Sequence, residues 1–145
     1  MGAANYINHL ITNSKKHIDK NTIIVGNFNT PLTERDRSSK QKINKEIKAL
    51  NDTLGQRDTT DIFRTFHSKA TECTFFSSAH GTFSRIDHIL GPKSGLKWYQ
   101  KIGIILCLFS DHSALKVELN PKRKVGKNSN TWRINNILLK NEWVN

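Results

Sequence analysis

"IIVGNFNTPL" (residues 23–32) is an apolar run that breaks into a polar turn. Ile23, Ile24 and Val25 belong to "NTIIVG" (21–26), which reads as an unbroken apolar strand buried on both faces of an α/β layer. Beyond Gly26 the chain breaks, and Asn27 and Asn29 flank Phe28 at the strand end. Working outward, Ile7, Leu10, Ile11 and Ile18 recur at helical spacing and predict an amphipathic helix over roughly 3–18. On the other side Ser38 with Gln41 reads as a capping box. Behind it Ile43, Ile47, Leu50 and Leu54 form one stripe, and Gly55 supplies a stop.

The second half is strand-rich. "ECTFFSS" (72–78) and "TFSRIDHIL" (82–90) are separated by "AHG" and read as a hairpin. "IGIILCLF" (102–109) reads as a buried strand, far short of the ~20 residues a membrane span needs. "ALKVEL" (114–119) alternates Leu115, Val117 and Leu119 against Lys116 and Glu118, as a half-buried strand does. After Asn120 the character shifts. "NPKRKVGKNSN" is a solvated basic linker, and "TWRINNILLKNEWVN" is a short helical candidate. The expected division is therefore 1–120 for the domain and 121–145 for a basic linker and tail.

With 145 residues the chain holds one domain with a real core. Twenty-three Lys and Arg against twelve Asp and Glu give a net charge of +11, which favours a polyanionic partner, nucleic acid before membrane. A soluble domain with a basic tail fits the charge equally well. Cys73 and Cys107 lie in apolar surroundings and read as buried thiols of a reducing compartment rather than a disulfide. "MGAANYINHL" lacks the continuous apolar core of a signal peptide. These features predict an intracellular protein, in the nucleus or cytoplasm, without a membrane partner.

Three polar clusters fall at strand ends: "GNFN" (26–29), "SRIDH" (84–88) and "SDH" (110–112). Unpaired buried polar groups cost about 1–3 kcal/mol, so these satisfy each other or hold a ligand. Metal-assisted attack of water on a phosphodiester would use all three. It needs hard oxygen ligands for Mg²⁺, an imidazole tuned by a carboxylate, and an amide to orient water or phosphate. Asp87 with His112 supplies the tuned imidazole, Asp111 a carboxylate near the metal, and Asn29 the orienting amide. His67, His80 and His88 read as structural or surface residues.

"VGNFNTPLTERDRSSKQKINKE", "TFFSSAHGTFSRIDHILG", "FSDHSALKVELN" and "TWRINNILLKNEWV" closely resemble the endonuclease of mammalian LINE-type retrotransposons, the domain that opens the second open-reading-frame protein. That endonuclease belongs to the apurinic/apyrimidinic-endonuclease-like branch of the endonuclease/exonuclease/phosphatase superfamily. The resemblance implies a DNase-I-like α/β sandwich of two mixed sheets face to face with helices outside. It also implies Mg²⁺-dependent nicking of DNA at T-rich/A-rich junctions. By matching motif, position 27 takes the place of the essential aspartate and Asn29 that of the essential asparagine. Asp87 and His112 match the Asp–His dyad, and Asp111 the acidic residue beside it. Arg37 matches a DNA-contacting arginine, and the hairpin from about Thr74 to Ser84, with Ile86 beyond it, the loop that enters the minor groove.

Two departures qualify the resemblance. The matching motifs begin where the family domain is about half complete, so a partial sandwich lacking the N-terminal half is expected, with an exposed apolar sheet face open to self-association. Asn27 keeps the shape of an aspartate and loses its charge, so it neither attracts Mg²⁺ nor accepts a proton from water. Losing one such group commonly costs ~10²–10⁴ in rate. The expectation is a catalytically impaired DNA endonuclease fragment with residual DNA binding. The alternatives are a non-catalytic DNA-binding module and a translated retrotransposon remnant without selected function.

Overall fold

The computed structural model describes residues 2–38 and 43–120. The expected linker and tail (121–145) and Gln41 lie outside the described residues. An N-terminal helix α1 (Ala3–Asn13) leads to the short strand β1 (Ile24–Asn27), and α2 (Lys45–Gln56) runs into β2 (Thr59–Asp61) and the single-turn helix α3 (Ile62–Phe66). A hairpin of β3 (Phe75–Ser77) and β4 (Thr82–Ser84) precedes β5 (Asp87–Pro92), and β6 (Tyr99–Ile105) pairs with β7 (Ala114–Leu119). Every pairing among the described residues is antiparallel, in three small sheets: β1-β5-β2, β3-β4 and β6-β7.

β5 organises the core. Successive side chains of a strand point to opposite faces, so Ile89 and Leu90 feed different clusters. Leu90 joins the stripe of α2 (Ile47, Leu50, Leu54), α1 residues Ala4, Ile7 and Ile11, and Phe28 and Leu32. Ile89 packs with Ile62, Phe63, Tyr99 and Ile102. The strand buried on both faces is therefore β5, flanked by β1 and β2, and not "NTIIVG". Among the described residues β1 pairs with β5 alone, and Val25 points to solvent.

Both helices fall short of or beyond their expected bounds for local reasons. α1 stops at Asn13, and Lys15–His17 continue only as a 3₁₀ turn, leaving Ile18 packed on the core from outside the helix. The expected Ser38 cap is overturned: Ser38 Oγ accepts from Phe83 N at 2.8 Å, while the Asn44 side chain caps α2 by accepting from Ile47 N at 2.9 Å. Gly55 lies within α2, and the left-handed residue that turns the chain is Asp58, at φ 54°. Replacing Asn44 with alanine is expected to lower stability by about 1 kcal/mol, read from the midpoint of urea unfolding.

Other expectations change at the far end. The "IGIILCLF" run leaves the sheet after Ile105, and Leu106, Leu108 and Phe109 stand in solvent rather than in a core. Both cysteines are free thiols, Cys73 half-buried but Cys107 exposed because it sits on that loop. The hairpin forms as expected, with Gly81 at φ 61° in its turn, a conformation that suits glycine. Among the described residues no helix is long and apolar enough to cross a membrane.

Candidate active site

Antiparallel pairing of β1 with β5 sets Asn27 directly opposite Asp87. Directly opposed side chains share one face, with Cβ atoms roughly 4.5–5.5 Å apart. Asp87 Oδ2 lies 2.9 Å from His112 Nδ1, so the end of β1, the start of β5 and the loop before β7 meet at one place. The imidazole is held from other sides as well. It packs on the Phe75 ring (centroids 4.9 Å apart), and its backbone bridges to Phe75. Asp87 N donates to Thr74 Oγ1 at 3.4 Å, which ties the start of β5 to the root of the hairpin.

Asn29 adjoins this group through the turn. Its backbone N–H donates to Asn27 Oδ1 at 2.8 Å, and its own φ of 54° is the left-handed conformation that asparagine tolerates. Both amide side chains are on exposed residues. Asp111 is exposed, with its carbonyl accepting from Phe76 N at 3.0 Å. Asp111 also lines an open groove of about 920 Å³ together with Arg37, Thr74, Phe76, Phe83 and Leu106. Arg37 bridges to Ser84, and the adjacent Ser38 N donates to Phe83 O, so this segment runs along the hairpin.

Two of the residues expected to contact DNA lie inside the chain's own packing. Thr74 and Ile86 are buried, 1% and 6% exposed. Thr74 Oγ1 accepts from the N–H groups of Ile86 and Asp87, so its hydroxyl serves the chain itself. Ser84 is half-buried at the end of β4, with its carbonyl accepting from Thr74 N. The hairpin's outward surface is instead aromatic. Phe76 and Phe83 are 4.7 Å apart between centroids and both exposed.

A second polar cluster lies beneath the first. Arg85 is fully buried between Asp36 and Asp61, with Nη2 2.9 Å from Asp36 Oδ1 and 2.5 Å from Asp61 Oδ2. Arg64 Nη2 also reaches Asp36 Oδ1 at 2.5 Å, and the Arg85 guanidinium lies over the Phe63 ring. His88 is buried with Nε2 2.8 Å from Thr30 O and Nδ1 3.5 Å from Asp61 Oδ2, the structural role expected of it. His67 also has a structural contact, with Nε2 2.8 Å from Ile102 O, and His80 is exposed. Asp36, Asp61 and His88 are close enough to hold a metal ion, but two guanidinium groups already supply the cationic charge.

No sequence pattern marked Asp36, Asp61 or Arg64, because Asp36 lies 25 residues or more from the other two along the chain. Arg85 alone carried a signal, a charge inside the strand-rich run "TFSRIDHIL". Burial pushes the Asp61 carboxyl upward. Hydrogen bonds from His88 and Arg85, and the Arg85 charge, outweigh it and hold the group at about 2, below its ordinary 3.8. A depressed folded-state value adds stability that is present above pH 3.8 and lost as pH falls toward 2. That contribution is about 2 kcal/mol. Urea unfolding from pH 6 down to pH 2.5 should show the loss, and Asp61→Asn should flatten this limb.

The model of the endonuclease/exonuclease/phosphatase family matches residues 3–112 of this chain, most of its length. The chain belongs to that family. Solved structures place the same fold beside it. An AP endonuclease from Archaeoglobus fulgidus superposes with a TM-score of 0.68 at 16% identity, over 81% of this chain and 53% of that one. An AP endonuclease from Leishmania major gives 0.57 at 16% identity, over 79% and 40%. A Neisseria 3′ phosphatase bound to a product DNA hairpin gives 0.63 at 19% identity, over 79% and 50%. At these identities the likeness shows the fold, and the chain spans about half the length of these proteins or less. It is thus a partial α/β sandwich of the endonuclease/exonuclease/phosphatase family.

Within the family frame, the polar cluster at the ends of β1, β5 and the loop before β7 is the candidate active site. Hard divalent cations take charged oxygen ligands by preference. Asn27 offers a neutral oxygen that already accepts the Asn29 N–H, and Asp87 already faces His112. Position 27 therefore fits such an ion poorly, while Asp111 remains as an exposed carboxylate on the same loop as His112.

Proposed function

We propose that this chain is a DNA-binding nuclease domain of retrotransposon origin, on the AP-endonuclease-like branch, whose phosphodiester-cutting site is impaired. Residues 1–120 correspond in this reading to the C-terminal part of the domain, with 121–145 leading toward a reverse transcriptase region. The observation that carries the proposal is the meeting of Asp87, His112 and Asn27 at one strand end. The carboxylate orients the imidazole, which sits where charge on a phosphodiester could be met, and Asn29 presents an amide beside it.

The impairment lies at Asn27 in this reading. Mg²⁺, the cation the retrotransposon resemblance implies, would seek a carboxylate at that position, and an amide holds it weakly. DNA remains as partner because binding depends on phosphate contacts rather than on the metal. Arg37, on the groove beside Asp111, is the expected phosphate contact.

Fluorescence anisotropy with duplex DNA tests this. Affinity should fall steeply with salt, and Arg37→Ala should weaken binding and flatten the slope by about one unit. An affinity near physiological ionic strength that Arg37→Ala leaves unchanged would point to unspecific charge attraction alone.

A further inference from the structure

The loop from Leu106 to Ser113 holds its base rigidly and its apolar tip in water. Ser113 N donates to Thr74 O at 2.6 Å, Phe76 N to Asp111 O at 3.0 Å, and His112 N to Ser110 Oγ at 3.1 Å. Cys107 N closes the loop onto Ser113 Oγ at 3.4 Å. Above these bonds Leu106, Leu108 and Phe109 are 80%, 93% and 99% exposed. Leu106 lines the groove beside the site, whereas Leu108 and Phe109 are not part of its lining.

Removing two large apolar side chains from water is favourable, and the fold leaves that gain unused three residues ahead of His112. Charge selects the occupant. A net charge of +11 repels a second copy of the chain and attracts a polyanion. Within a nucleic acid, the stacked bases are the apolar surface that Leu and Phe side chains enter as wedges, unstacking a step.

We propose that Leu108 and Phe109 form a wedge that enters the base stack of duplex DNA beside the phosphodiester at Asp87 and His112. This inference rests on the DNA-binding reading above. The pinned base gives the wedge its register, since the backbone bonds that fix Asp111 and His112 fix the root of the same loop. The exposed Phe76–Phe83 pair on the hairpin provides a second apolar surface across the groove.

The test uses duplexes with 2-aminopurine replacing adenine at successive steps of a T-rich/A-rich junction, near physiological ionic strength. The full chain should raise the emission several-fold at one or two adjacent steps. A Leu108→Ser/Phe109→Ser double variant should lose that rise while keeping its melting transition and the salt slope of its DNA affinity. DNA binding by the full chain with no rise at any step, or an equal rise with the double variant, overturns the wedge and leaves the DNA-binding reading standing. No DNA binding at all overturns both. Self-association in sedimentation, or capture by anionic vesicles, that the double variant abolishes would overturn the wedge if no emission rise accompanies it.

Discussion

Replacing Arg85 with methionine is expected to cost about 3–5 kcal/mol of folding stability, a large share of the 5–15 kcal/mol typical of a domain. Methionine fills the volume of the arginine stem but leaves two carboxylates without their shared cation. Asp36 is fully buried and keeps Arg64 and the Leu32 and Thr33 N–H groups, while Asp61 keeps His88 at 3.5 Å and the Arg64 N–H at 3.4 Å. An uncompensated buried charge is the expensive outcome of breaking such a pair. Urea unfolding followed by tryptophan fluorescence measures the loss. Asp61→Asn made together with Arg85→Met should recover part of it, because the neutral amide needs no counter-charge. A loss under about 1 kcal/mol would mean that water reaches both carboxylates once the arginine is gone.

Asn27→Asp is expected to reverse the metal behaviour of the site. Like charges directly opposite one another across a strand pair destabilise it, by roughly 0.2–1 kcal/mol, and position 27 faces Asp87 in the β1–β5 register. Without divalent cation the variant should therefore melt slightly below the parent chain. With Mg²⁺ or Mn²⁺ in excess it should melt above it, since an ion bound only by the folded state at 100 times its dissociation constant adds about 2.7 kcal/mol. The turn itself should survive, because a carboxylate accepts the Asn29 N–H as readily as the amide does. The parent chain should show no comparable shift. Equal metal responses in both would mean that position 27 does not govern metal binding.

Much of this site was readable before the fold was known, and the reason is the length of the signals. "GNFN", "SRIDH" and "SDH" each end or interrupt an apolar run, so their polar groups had to gather at strand ends. Residues 27, 87 and 112 do meet there. The α2 stripe was equally plain, because Ile47, Leu50 and Leu54 repeat at the helical period. Edges were harder. "NTIIVG" has the composition of a central strand, but centrality depends on which strands pair, and β5 took that place through contacts about 60 residues away.

Residues whose partners were remote, or whose propensity was overridden, were not legible in this way. Ile86 is buried in the break between β4 and β5, and Thr74 is buried just ahead of β3, where its hydroxyl accepts from the Ile86 and Asp87 N–H groups. Asp36 lies in a polar stretch that looks like ordinary surface, yet it is the anchor for two arginines. No periodicity marks a buried ion network assembled from three separate stretches, around Asp36, Asp61–Arg64 and Arg85–His88. The "LCLF" stretch misled in the opposite direction: its hydrophobicity predicts burial, and the polar bonds at the loop's base hold it in water.

Plasmid nicking shows whether Asn27 disables the chemistry proposed for this site. Supercoiled DNA with Mg²⁺ would be incubated with the chain as written, with Asn27→Asp and with Asp87→Ala. The unaltered chain is expected to nick no faster than Asp87→Ala, while both still retard DNA in a gel at the same ionic strength. Metal-dependent nicking by the unaltered chain that Asp87→Ala abolishes would contradict this, because a working site would then exist with the amide in place.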